Sequence, residues 1–216
     1  MNRRVRYKTL WLVSARDGSA RKQLFSQKTL LLGPNGTGKS RIIKNLYWVF
    51  GCKTRKRDAG MWDPDTVAAL EFTYRDKDYM VVRDGKRLGM FGANDQLLFA
   101  AENMSAWSKA LGAFFGFELR LKRPQTVTFS QAGPEYMLMP FYMDQDGSWG
   151  AGWDTFEQLT QFSDWKGATF ESFIGMRPNA YFQAKHFSTE IGERVTDRRK
   201  ELEAQRLTMR TTYDLE

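Results

Sequence analysis

One pattern constrains this chain more than any other: Gly-x-x-x-x-Gly-Lys-Ser, which is met by Gly33, Gly38, Lys39 and Ser40. Glycines lack a β-carbon, so such a loop can turn successive backbone N–H groups inward on an anion. In this pattern the Lys39 ammonium neutralises the β- and γ-phosphates and the Ser40 hydroxyl ligates Mg²⁺. The spacing therefore predicts a site for ATP and Mg²⁺, with contacts from Asn35, Gly36, Thr37, Gly38, Lys39, Ser40 and Arg41.

The residues around this loop fit the same prediction. Residues 29–32 form an apolar run that predicts a fully buried strand. After Lys39, apolar side chains recur at helical spacing from Ile42 to Phe50, and Gly51 supplies a stop. A strand, a glycine-rich loop and a helix that presents its N-terminal amides are the context that phosphate binding requires.

Hydrophobic periodicity predicts the remaining elements. Residues 9–13 and 24–25 are typical of strands, and 66–86 predict an antiparallel meander with tight turns. A helix should begin near Ser105. Two further strands at 126–129 and 137–143, two short helices at 155–162 and 169–174, and one long helix from Ala180 complete the prediction.

Composition limits the class of protein. The chain has 216 residues, 42% of them hydrophobic, which suits one domain with a substantial core. No apolar run is long enough to cross a membrane, so we expect a cytoplasmic protein. The single cysteine, Cys52, and the single histidine, His186, exclude an internal disulfide and a multi-histidine metal site.

Positive charge is clustered. The net charge is +8, and one cluster follows the predicted helix after the loop. Such clusters attract a phosphate backbone irrespective of its sequence, although they also occur as ordinary solvated loops. The candidate nucleic-acid contacts are Lys53, Arg55, Lys56 and Arg57.

The loop Gly-Pro-Asn-Gly-Thr-Gly-Lys-Ser resembles that of the ABC-type ATPases of the SMC, RecF and SbcC group. The resemblance implies an α/β P-loop fold with a mixed sheet around the P-loop helix. It also implies an antiparallel β subdomain and a C-terminal helix that leads to a coiled coil. Residues 1–178 would form the N-terminal lobe of an ATPase head, and 179–216 the start of the coiled-coil arm.

Residues 141–149 resemble the glutamine loop of the repair-type members of this group. By that resemblance Gln145 is a catalytic residue beside Lys39, and it joins Ser40 in contacting Mg²⁺ and the attacking water. Two alternatives stay open. Gln145 can lie in a polar turn, or 139–144 can be a strand that ends in a Walker B acid, Asp144, although Pro140 argues against a central strand.

The pattern that would indicate a coiled-coil arm is weak, and two motifs of a complete head are not found. Ile191, Val195, Leu202 and Met209 fit a heptad seam, but Arg198 and Gln205 interrupt it. A helix that covers the domain's own core is the alternative. The signature Ser-Gly-Gly loop and a Walker B Asp-Glu are not found, and residues 67–71 favour an ordinary strand, so the chain resembles the N-terminal half of a head.

The resemblance implies a function. It is ATP binding and, in the complete protein, hydrolysis coupled to head engagement and DNA binding; this chain alone should be inactive. Implied partners are a second head (a homodimer or the C-terminal half), double-stranded DNA, and a nuclease or effector subunit. Residues 10–13 and 47–51 resemble SMC-like components of anti-phage systems such as Lamassu more than DNA-repair enzymes. The rival functions are a self-contained P-loop kinase or transferase, and a silent scaffold that only binds nucleotide.

Overall fold

The computed structural model describes residues 4–55, 63–124, 128–145, 153 and 155–213, with the backbone alone at 210–213. Contacts divide the chain into two units. The first is Met1–Glu118 with Ala132–Leu159, and the second is Leu119–Gln131 with Thr160–Glu216. The boundary expected between residues 178 and 179 falls inside the second unit.

The first unit is built on a six-stranded sheet in the order β2-β1-β3-β4-β5-β6. Its strands are β1 (Val5–Ser14), β2 (Ala20–Leu24), β3 (Thr66–Tyr74), β4 (Lys77–Asp84), β5 (Arg87–Phe91) and β6 (Leu97–Ala101). Its helices are α1 (Lys39–Trp48), α2 (Met104–Phe115) and α3 (Pro134–Leu138), and 3-10 turns occupy Ala93–Asp95 and Met139–Phe141.

Every pairing of neighbouring strands in this sheet is antiparallel. The described residues therefore form helices and an antiparallel sheet, as the predicted meander requires. The parallel pairing of the expected mixed sheet does not occur among them. The P-loop fold class remains a prediction.

Strand β3 lies at the centre of the sheet and shows why the meander forms. Its side chains alternate, with Ala68, Leu70, Phe72 and Tyr74 buried. Leu70 pairs with Leu10 of β1 on one side and with Val81 of β4 on the other. Period-two burial of this kind fixes the register, because a slip of one residue would expose the whole apolar face.

Aromatic side chains fill the core against this sheet. The rings of Phe50 and Phe72 lie 5.7 Å apart, and that of Phe115 on α2 is 6.2 Å from Phe50. The fully buried Trp107 donates from its indole nitrogen to the Phe50 carbonyl over 2.7 Å. Asn103 caps α2, since its side chain accepts the Ala106 amide at 2.9 Å.

Two predicted strands are wrong. Residues 29–32 are irregular, and Leu30 and Leu32 are 78% and 81% exposed rather than buried. Both edges of β1 are already taken by β2 and β3, so this segment cannot pair with β1. Residues 137–141 belong to α3 and the following 3-10 turn, and 142–143 are irregular, so no strand forms there. Pro134 at the first turn of α3 favours a helix start, and Pro140 cannot donate to a sheet.

The second unit contains a short hairpin and two helices among its described residues. They are β7 (Arg120–Lys122), β8 (Phe129–Gln131), α4 (Trp165–Phe173) and α5 (Asn179–Tyr213). The long helix occurs where it was predicted, whereas 155–162 contains only the 3-10 turn Leu159–Gln161. The four apolar residues of the expected heptad seam, Ile191, Val195, Leu202 and Met209, are all exposed. None of the described helices combines the length and apolar character of a membrane span.

Candidate phosphate-binding site

The loop before α1 has the backbone of an anion cradle. Gly36 and Gly38 take φ values of 83° and 86°, in the left-handed region that favours glycine. Gly38 is also the N-cap of α1, where no side chain caps the helix and no acidic residue lies in the first turn. The first intrahelical bond runs from the Ile42 amide to the Gly38 carbonyl at 3.1 Å. The earlier amides and the positive end of the helix dipole are therefore available to an anion.

Lys39 lies folded over this loop. Its ammonium donates to the Gly33 carbonyl at 2.6 Å and to the Pro34 carbonyl at 2.7 Å. The Thr37 hydroxyl donates to the same Pro34 carbonyl at 2.9 Å. An ammonium has three protons, so the geometry leaves a donor for a phosphate oxygen while the loop keeps its shape.

Ser40 and Gln145 meet across the site. The Ser40 hydroxyl donates to the Gln145 side-chain oxygen at 3.1 Å, although the two residues are far apart in the chain. The strand that was expected to end at Gln145 is replaced by the 3-10 turn Met139–Phe141 and an irregular segment. The alternative in which such a strand ends in a Walker B Asp144 therefore lacks its strand.

Tyr47 of α1 holds that segment in place. Its hydroxyl donates to the Phe141 carbonyl at 2.6 Å, and its ring lies 4.4 Å from that of Tyr142. Burial raises the pKa of Tyr47, so the phenol stays a neutral donor. The contact explains why a segment without strand structure still returns to the P-loop helix.

A buried ion pair lies next to Gln145. Lys44 Nζ is 3.8 Å from Asp144 Oδ1, and their side chains are 8% and 1% exposed. Lys44 also donates to the Arg55 carbonyl at 2.7 Å, and the Tyr142 hydroxyl donates to Asp144 at 2.8 Å. The sequence did not predict this pair. Asp144 was considered only as a Walker B acid and Lys44 belongs to no motif, and only the fold brings these distant positions together.

A cavity of about 350 Å³ adjoins the loop. Its walls come from the β1–β2 hairpin, the loop, α1 and the start of β3; they include Ser14, Ser19, Arg21, Gly36, Thr37, Gly38, Arg41, Asn45, Asp63 and Thr66. Asn45 is buried, and its side-chain oxygen has no hydrogen-bond partner in the described part of the chain. A buried acceptor without a partner is costly, so this atom is suited to a donor group of a ligand.

Charged groups line the same cavity. Arg21 and Arg41 supply positive charge, and Arg21 reaches toward Gly38. A hydrogen bond from the Ser14 hydroxyl holds the pKa of Asp63 below its usual range, so this carboxylate is ionised at neutral pH. Of these residues, only Arg41 was among the predicted contacts.

The structure describes only half of the basic cluster. Lys53 donates from its side chain to Gln158 at 2.9 Å, and Thr54 forms an isolated bridge with Phe156. Arg55 is held through its carbonyl by Lys44. Lys56 and Arg57 lie outside the described residues, and the nucleic-acid role of all four cluster residues remains a prediction.

Comparison with known proteins adds one similarity. No protein-family model matches the chain. The chain is 30% identical over 128 residues to the Lamassu protein LmuB of Bacillus cereus (strain VD014). The matched segment covers 59% of this chain and 22% of that protein, so the similarity spans less than a quarter of the relative's length.

Proposed function

We propose that this chain binds ATP with Mg²⁺ at loop 33–40, as the N-terminal part of an SMC-like ATPase head in an anti-phage system of the Lamassu type. The observation that carries the proposal is the 3.1 Å contact between Ser40 and Gln145. It brings the last residue of the loop pattern against the glutamine of the second motif. A glycine-rich turn without function would give no reason for these two side chains to meet.

The loop and helix α1 supply the phosphate contacts. Backbone amides at Gly36 and Gly38 and the N-terminus of α1 face an anion with partial positive charge. Lys39 adds a full positive charge already positioned by two carbonyls. These groups would hold the β- and γ-phosphates, with Arg41 close by.

The residues fit a magnesium ion. Mg²⁺ prefers oxygen ligands and keeps several waters, so one hydroxyl, one amide oxygen and phosphate oxygens form a suitable set. Ser40 and Gln145 provide the two protein oxygens side by side. When bound, Mg²⁺ would neutralise charge on the phosphates. The amide of Gln145 would orient a water through its NH₂ group.

The adjoining cavity suits the nucleoside. It opens directly from Gly36 and Gly38 and has room for a base and a ribose. The Asn45 side-chain oxygen and the Asp63 carboxylate are acceptors, and an exocyclic amino group such as that of adenine is a matching donor.

The proposed role in the cell rests on the similarity to a Lamassu protein and on the resemblance of the two motifs to those of SMC-like ATPases. Similarity to a Lamassu protein supports anti-phage defence over DNA repair. The proposal includes the P-loop fold class and a second head that completes the site. It also includes double-stranded DNA bound along the basic cluster, and a nuclease or effector subunit as partner. Hydrolysis would require that second head or the C-terminal half.

Calorimetric titration with ATP and Mg²⁺ tests the proposal. Lys39→Ala should abolish binding and leave the melting temperature nearly unchanged, because the hydrogen bonds of this side chain to the described residues are to two carbonyls of its own loop. Lys28→Ala is the matched control. It removes an exposed lysine of the same chain region and should bind like the wild type. Equal affinity of all three proteins would overturn the assignment.

A further inference from the structure

The buried pair Lys44–Asp144 poses a physical question. Removing two charges from water is expensive, and a buried pair often stabilises a fold no more than apolar residues would. A contribution to stability alone therefore does not explain why a buried ion pair occurs at this position. Buried ionic groups are best attested as devices that fix the register between two elements.

Both charges are held in a fixed geometry. The Lys44 ammonium is tied to the Arg55 carbonyl, and the Asp144 carboxylate accepts from the Tyr142 hydroxyl. Each charge is thus anchored to a neighbouring polar group, and Lys44 Nζ lies 3.8 Å from Asp144 Oδ1.

The Lys44–Asp144 pair and the Ser40–Gln145 contact join the same two segments of the chain. Ser40 and Lys44 are four residues apart on α1 and share one face of the helix. Asp144 and Gln145 are adjacent in the facing segment. Tyr47, one turn further along that face, holds the Phe141 carbonyl. Three residues on one face of α1, Ser40, Lys44 and Tyr47, therefore contact residues 141–145.

We propose that Lys44 and Asp144 are positioning residues that fix Gln145 against Ser40. This inference rests on the proposed nucleotide function. The pair sets how far residues 141–145 lie along α1, and so decides whether the Gln145 amide reaches the metal position. Asp144 acts through its neighbour and does not itself contact the ligand.

The test follows the Gln145 side-chain NH₂ resonance by NMR during titration with ATP and Mg²⁺, with Gln145→Ala identifying the signal. The neutral double variant Lys44→Met/Asp144→Asn is compared with Lys8→Met/Asp78→Asn. The latter removes an exposed pair, 3.0 Å apart with side chains 49% and 64% exposed, by the same substitutions. In the wild type and the control, Gln145 and the Gly36 and Gly38 amides should all shift. In the Lys44/Asp144 variant only the glycine amides should shift.

The outcomes separate the two proposals. If the glycine amides do not shift in the wild type, the proposed function fails. If they shift in every protein and Gln145 still responds in the folded Lys44/Asp144 variant, the positioning role is wrong. Should that variant not fold, Asp144→Glu keeps the charge and moves the carboxylate by one methylene. It should lose the Gln145 shift, and a response like that of the wild type would contradict the inference.

Discussion

Removing one partner of the buried pair should destabilise the protein more than removing both. Lys44→Met leaves a carboxylate whose side chain is 1% exposed, with the Tyr142 hydroxyl still bonded to it. Breaking a buried pair in this way costs about 3–5 kcal/mol. For a chain of this size that corresponds to a loss of roughly 6–20 °C in melting temperature.

The double variant Lys44→Met/Asp144→Asn has no uncompensated charge. The amide oxygen introduced by Asp144→Asn would still accept from Tyr142, so the main loss is the charge-assisted Lys44 bond to the Arg55 carbonyl, about 1.5–3 kcal/mol. The exposed pair gives the contrast, because Lys8→Met should cost about 0–1 kcal/mol. Urea denaturation followed by tryptophan fluorescence measures all of these free energies of unfolding. A Lys44→Met variant as stable as the double variant would show that the Asp144 carboxylate is not a costly unpaired charge.

Three further predictions concern ATP hydrolysis and DNA binding. Gln145→Ala should leave ATP affinity nearly unchanged in calorimetry but sharply lower hydrolysis by the complete ATPase, because a positioned water matters chiefly in the transition state; equal turnover would contradict this. The present chain alone should hydrolyse ATP negligibly in a phosphate-release assay, and robust turnover without DNA would favour a self-contained transferase. Charge removal at Lys53, Arg55, Lys56 and Arg57 should weaken duplex DNA binding and flatten its salt dependence, since fewer counterions are released; an unchanged slope would mean a merely solvated cluster.

Local patterns predicted the elements whose stability is local. Helix α1 follows from apolar spacing, and the β3–β4 meander follows from alternation with a tight turn at Arg75 and Asp76. The helix Asn179–Tyr213 follows from a long stretch without proline. In each case the periodicity that the sequence carries is the one that the structure uses.

The predictions were wrong where prolines or contacts with distant parts of the chain, and not the local apolar pattern, decide the secondary structure. The apolar run 29–32 has strand propensity, but a strand needs a pairing partner, and none of the described strands pairs with this segment. Residues 137–143 are equally apolar, yet Pro134 and Pro140 favour helical turns. The Lys44–Asp144 pair joins distant positions with no local signature, so no reading of either segment alone could reveal it.

We propose that Ser40 and Gln145 lie on either side of a metal ion held by a nucleotide in loop 33–40. A crystal structure with a non-hydrolysable ATP analogue and Mn²⁺ in place of Mg²⁺ tests it directly, since anomalous scattering locates the ion. We expect one peak in contact with the Ser40 hydroxyl, the Gln145 side-chain oxygen and the phosphates, with the base in the cavity beside Asn45. A bound nucleotide whose ion lies away from Gln145, or a loop that remains empty at saturating analogue, would contradict it.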